Sequence, residues 1–173
     1  MSRWSGIAII DGSALGESAM KVRSWYGLSG EIEVENELWH LVKIGQVALN
    51  HPPVINLLLR RGLPREDRLR LSYLHEFGHF QTLPFSLAPV LWMLWSGRMQ
   101  QRSFLGWLAW LIKVVVAHEA VWELMSEGYV IARDSMAYRE TYRRTPNPLL
   151  PAFWVAMSGV GGMLTACLLR SRD

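Results

Sequence analysis

His75-Glu76-Phe77-Gly78-His79 sets two imidazoles and a carboxylate within five residues. On a helix, positions i and i+4 share a face, so His75 and His79 can grip one metal ion. Glu76 then lies where it can take a proton from a metal-bound water. That is the minimum apparatus for zinc-assisted hydrolysis of a peptide bond. Catalytic zinc takes three protein ligands and keeps a fourth position for water. A third ligand must therefore come from another element that faces the first.

The carrier of the motif is predicted as a helix over 64–81. Pro64 suits its first turn, Glu66 and Asp67 sit near its positive end, and Pro84 is expected to end it. The third ligand is expected from residues 118–129. At about 100° per residue, Glu119, Glu123, Glu127 and Lys113 fall within an arc of about 120°. A carboxylate stripe on an apolar helix is costly unless its members are paired or bound to metal. The stripe leaves Glu119, Glu123 and Glu127 as alternatives. His118 lies about 100° from Glu119 and reads as structural. Lys113 reads as a snorkelling or pairing cation. His40 and His51 read as surface or strand residues, and Gly78 as room for close helix packing. Tyr129, Tyr138 and Tyr142 are candidates for oxyanion stabilisation, with core packing or a membrane-interface position the simpler role for each.

The 173 residues suit one domain, or one small domain with membrane helices. Half the chain is hydrophobic, with nine Trp and eight Met, and the net charge is only +3. Basic and aromatic residues do not interleave on any element, which argues against a nucleic-acid partner. The single cysteine, Cys167, excludes an intramolecular disulfide framework and a cysteine-rich zinc site. An apolar run at 6–10 meets Asp11 and is too short for a secretory signal.

The character of the chain changes near residue 80. Residues 1–80 hold nine Lys/Arg and nine Asp/Glu. Within them 31–35 alternates strictly and predicts a half-buried strand. Residues 40–49 predict a second strand ended by His51-Pro52-Pro53, and 54–61 a short helix stopped by Gly62. Beyond residue 80 come apolar runs at 83–95 and 103–117, the latter continuing as helix to about 133. A basic loop, 98–102, separates them, and a basic polar segment, 133–147, follows. Residues 149–169 then run without a charge, the length of a transmembrane helix. Ser158, Gly162 and Ala166 line one face of it at the spacing that lets another helix approach. Trp92, Trp95, Trp107, Trp110, Trp122 and Trp154 suit a lipid-interface belt. The expected fold is α+β and mainly α. It has a strand-containing module at 1–63, zinc-binding helices with a hydrophobic hairpin at 64–135, and a basic linker with a transmembrane helix at 136–173. Two to three helices are expected in the membrane.

His75-Glu-Phe-Gly-His79 followed by Glu123-Leu-Met-Ser126-Glu127 resembles the gluzincin pattern. That pattern is HExxH, then a glutamate ligand with a small residue three places on and an acid four places on. The resemblance covers roughly residues 64–135. It implies Zn²⁺ held by His75, His79 and Glu123, Glu127 orienting a ligating histidine, and Glu76 as general base. Asp and Ala are usual where this chain has Glu127 and Ser126. The order of elements is similar to that of membrane-embedded peptidases of the heat-shock protease and CAAX prenyl protease type. The function it implies is a membrane-associated zinc endopeptidase acting on a peptide or membrane-protein substrate at the bilayer. It also implies a cytoplasmic membrane with the site facing the cytoplasm. An edge strand at 31–35 or 40–47 is expected to align the substrate. Two other readings stand beside it. One is a membrane protein with a structural or regulatory zinc, closed by a fourth ligand such as Glu119 or His118. The other is a soluble helical metalloprotein with 149–169 as a core helix.

Overall fold

The computed structural model describes residues 20–34, 40–51, 53–95 and 103–170. Expectations for the run at 6–10 and the loop at 98–102 lie outside these residues. The first described elements are four strands: β1 (Met20–Arg23), β2 (Ser29–Glu33), β3 (His40–Ile44) and β4 (Val47–His51). They form an antiparallel sheet in the order β1-β2-β3-β4. The alternation around Ile32 fixes the face of β2. Ile32 is buried and stands opposite Met20 on one side and Val42 on the other. Residues 40–49, expected as one strand, are a hairpin instead. Gly45 adopts a φ of +58°, a left-handed conformation that glycine tolerates, and it turns the chain there. A consequence is that β2 and β3 are interior strands. Among the described residues β1 and β4 lie at the edges of the sheet, so the part of 31–35 within β2 supplies no edge, and of 40–47 only Val47, in β4, lies on one.

The short helix α1 (Val54–Leu59) ends before Gly62, whose φ of +82° reverses the chain. Helix α2 (Arg65–Trp95) does not stop at Pro84. It runs on through Pro84 and Pro89. A proline inside a helix deprives the carbonyl four residues earlier of its partner. For Pro84 that carbonyl belongs to Phe80, and the Tyr26 hydroxyl donates to it at 2.7 Å. Tyrosine 26 thus supplies the bond the proline removes. Helix α3 (Phe104–Arg133) has the expected span, as does α5 (Leu149–Arg170). Between them the segment expected as a basic linker holds a further helix, α4 (Ser135–Arg144). Arg143 and Arg144 both bond Glu140 one turn back, and these hydrogen bonds hold its carboxyl down at about 2.

The chain divides into two compact units, residues 1–81 with 126–149 and residues 82–125 with 150–173. In the first, Val22, Ile32 and Val34 of the sheet pack with Tyr73, Phe77 and Phe80 of α2. Those three aromatics recur at i, i+4 and i+7, the spacing of one helix face. Gly30 lets the sheet come close: a Cβ there would lie 2.6 Å from the Phe80 ring. In the second unit Trp110, Val114, Ala117 and Leu168 form the core. Trp110 is therefore a core residue and not part of an interface belt. The face expected to admit a neighbouring helix is open at Gly162, whereas Gly161 packs against Val121 and Ala120.

Two helices, α3 and α5, are long and apolar enough to cross a membrane. Much of their apolar surface is exposed, with Leu105 at 74% and Val155 at 75%.

Candidate metal centre

The sheet-facing aromatics of α2 dictate where the histidines go. At about 100° per residue, His75 and His79 lie roughly opposite Tyr73, Phe77 and Phe80. Packing one face on the sheet therefore turns the two imidazoles toward α3. Gly78 sets how near α3 comes. A Cβ on Gly78 would lie 2.8 Å from the Ser126 carbonyl oxygen and 3.0 Å from its Cα, so only glycine lets the two backbones meet here.

That approach gives each histidine a partner on α3. His75 Nδ1 lies 3.0 Å from Glu127 Oε2, and His79 Nδ1 lies 2.7 Å from Ser126 Oγ. Metal-ligating histidines characteristically give their second ring nitrogen to such a group, which fixes the tautomer and the ring orientation. With both Nδ1 atoms engaged, Nε2 is the nitrogen each ring has for a metal. The two rings stand edge to face with centroids 4.9 Å apart.

Glu123 lies one turn before Ser126 and Glu127 on the same uninterrupted helix. His75, His79 and Glu123 each offer a ligand atom, and these atoms lie within 4.8 Å of one another. It is the one such trio among the described residues. Two neutral imidazole nitrogens and a carboxylate are a donor set that suits zinc. The other two glutamates of the stripe are placed elsewhere. Glu119 is more than half exposed, and its nearest described partner is His118 at 3.3 Å. Glu127 is saturated. Arg60 donates to it twice, Nη1 to Oε1 at 2.8 Å and Nη2 to Oε2 at 2.6 Å, Tyr138 donates to Oε1 at 2.7 Å, and His75 contacts Oε2. A carboxylate accepts about four hydrogen bonds, so none is left for a metal.

Arg60 and Glu127 are both wholly buried. Burial works against the Arg60 charge, but the adjacent Glu127 carboxylate outweighs it and the guanidinium is held protonated well above its usual range. Burial, and then the Glu127 charge, push the Tyr138 hydroxyl far above the ordinary phenol range, so it remains a donor. Tyr142 accepts from Arg60 Nη1 at 2.7 Å and donates to the Leu59 carbonyl at 2.7 Å. Tyr129 packs edge to face on Phe77. All three tyrosines thus have structural work.

Glu76 is buried, and its Oε1 receives two contacts: His40 Nδ1 at 2.7 Å and Asn56 Nδ2 at 3.0 Å. His40, expected as a plain strand or surface residue, is 3% exposed and faces the motif. His51 pairs with His40 across β3 and β4. His118 is structural, as expected: its ring nitrogens lie 3.3 Å from Glu119 and 3.2 Å from Ser86 Oγ. The residues missed by sequence reasoning are Arg60, Asn56 and the positioning role of His40. Their only local signal was type, an Asn on a short apolar helix and an Arg at its C-terminal cap.

No family model matches the chain, and no curated protein or solved structure matches it. The gluzincin resemblance therefore rests on the motif residues themselves.

Proposed function

We propose that this protein is a membrane-associated zinc-dependent endopeptidase, with His75, His79 and Glu123 as the metal ligands and Glu76 as general base. The observation that carries this reading is that both motif histidines are braced at Nδ1 by α3, on the helix that also brings up Glu123. When bound there, zinc supplies Lewis acidity to the scissile carbonyl and acidifies a water. Glu76 takes the proton of that water and later delivers it to the leaving amine. Its Oε1 is held by His40 and Asn56, which fixes the orientation of the carboxylate. The exposed apolar lengths of α3 and α5 favour lipid around them over a soluble core. The substrate is then a membrane protein or a peptide near the bilayer surface, and the motif faces the cytoplasm of a cytoplasmic membrane.

The reading with a closed, structural zinc requires a fourth protein ligand. His118 and Glu119, its expected sources, are engaged with one another, and neither joins the trio. Among the described residues no fourth His, Cys, Asp or Glu joins the trio, which supports a position left to water.

The test is Glu76→Gln, purified in detergent and assayed on an unfolded protein substrate beside wild type. Cleavage is expected to fall by about 10²–10⁴-fold while zinc content stays the same. Cleavage at the wild-type rate would overturn the mechanism.

A further inference from the structure

Behind Glu76 lies a cavity of about 210 Å³ whose lining includes Arg60, Arg61, Arg68, His40, Asn56 and Ser72. Among the described residues three guanidinium groups and no carboxylate border it. Two of its buried polar atoms, Arg60 Nε and Asn56 Oδ1, have no hydrogen-bond partner. Arg60 is wholly buried and Asn56 is 4% exposed. Buried polar atoms are costly to leave unpaired, so two of them in residues that line one cavity mark a place suited to a ligand. Arg60 shows the same logic from its other end. Its Nη atoms are committed to Glu127 and Tyr142, and only Nε is left for the cavity.

We propose that this cavity binds a small oxyanion, a phosphate or a carboxylate. Arginine is the side chain best matched to such groups, because its planar N–H donors pair with two oxygens at once. Arg60 Nε, Arg61 and Arg68 supply the donors. Asn56 Oδ1 supplies an acceptor, which suits a ligand that also carries a proton, such as monohydrogen phosphate. Asn56 and His40 line the cavity and hold Glu76 Oε1 as well. An anion bound there stands one side chain away from the proposed general base. Its bearing on catalysis rests on the peptidase reading, whereas its binding does not.

The probe is inorganic phosphate, titrated by calorimetry into the full-length protein in detergent at fixed ionic strength. Saturable one-to-one binding is expected for wild type. Arg61→Gln with Arg68→Gln is expected to weaken it at least about tenfold, the cost of losing charge-assisted hydrogen bonds. Arg61 is exposed and Arg68 is partly exposed, and unchanged circular dichroism and zinc content verify that the double variant folds. A second titration uses chelator-treated wild type, since phosphate can also bind zinc directly. Binding that vanishes with the metal, that ignores the two arginines, or that never saturates would overturn the proposal. Competition by a short peptide acid but not by its amide would identify the anion as a peptide C-terminus. Competition by phosphatidic acid would identify it as a lipid headgroup. Phosphate binding without any peptide cleavage would leave this site standing and remove the peptidase.

Discussion

His75 and Glu127 lie 3.0 Å apart, Nδ1 to Oε2, with both side chains sealed from solvent. The same carboxylate carries the buried Arg60 charge, so one residue serves two functions. Glu127→Gln is expected to weaken zinc binding about 10- to 100-fold, the usual cost of losing such a partner. It should also lower unfolding stability by about 3–5 kcal/mol, because Arg60 is left buried without its counter-charge. Adding Arg60→Met should restore much of the stability and none of the zinc affinity. Denaturant melts and zinc titrations of the single and double variants separate the two effects.

The glutamate stripe gives a second prediction. Glu123→Ala should strip zinc as thoroughly as His79→Ala. Glu119→Ala should leave zinc content at the wild-type level, and Glu127→Ala should fall between them. Metal analysis of the four purified proteins decides it. A zinc-free Glu119→Ala protein would put the ligand on the wrong turn.

Gly78 is a point of close approach between α2 and α3. Gly78→Ala adds one methyl where backbone atoms of Ser126 already stand at 2.8 to 3.0 Å, and neither backbone can yield cheaply. An exposed helical Gly→Ala would ordinarily stabilise. Here overpacking should cost about 1–3 kcal/mol. It should also separate His75 and His79 from Glu127 and Ser126. Zinc stabilises what it binds, so wild type should show a zinc-dependent rise in melting temperature that Gly78→Ala largely loses. Equal zinc-induced shifts in the two proteins would count against the close approach as a determinant of the site.

His40 and Asn56 make a fourth case. His40→Ala and Asn56→Ala each remove one of the contacts on Glu76 Oε1. Zinc content should stay intact, while kcat should fall about tenfold with little change in KM, since an aimed carboxylate matters to proton transfer more than to substrate binding. His40→Gln, which restores a donor, should recover part of the loss. A change confined to KM would instead make these residues part of a substrate surface.

How much of this was legible depended on distance along the chain. The motif, the glutamate stripe and the alternation at 31–35 are short-range patterns; the first two lie in the expected helices, and residues 31–33 of the third lie in β2. The errors arose where one residue's meaning was set from afar. Pro84 reads as a helix stop until Tyr26, 54 residues from Phe80, takes the orphaned carbonyl. Gly45 is an unremarkable residue in a strand-like run until its positive φ turns that run into a hairpin. His40 lies 36 residues from Glu76 and Arg60 lies 67 from Glu127, so nothing near either announces its partner. Ser126 was noticed only as a small residue, and its hydroxyl proved to be the contact for His79.

The span between His75 and Glu127 also bears on how the molecule is made. Their contact joins positions 52 residues apart, and the trio awaits Glu123 on the same later helix. A ribosome delivers HExxH long before it delivers either acid. During that interval the two histidines are ordinary helix residues with no brace and no third ligand. The proposed peptidase, assembled in this order, would be unable to act on its own unfinished chain until its third helix has folded back. Latency of the proposed activity would then follow from the order of the sequence.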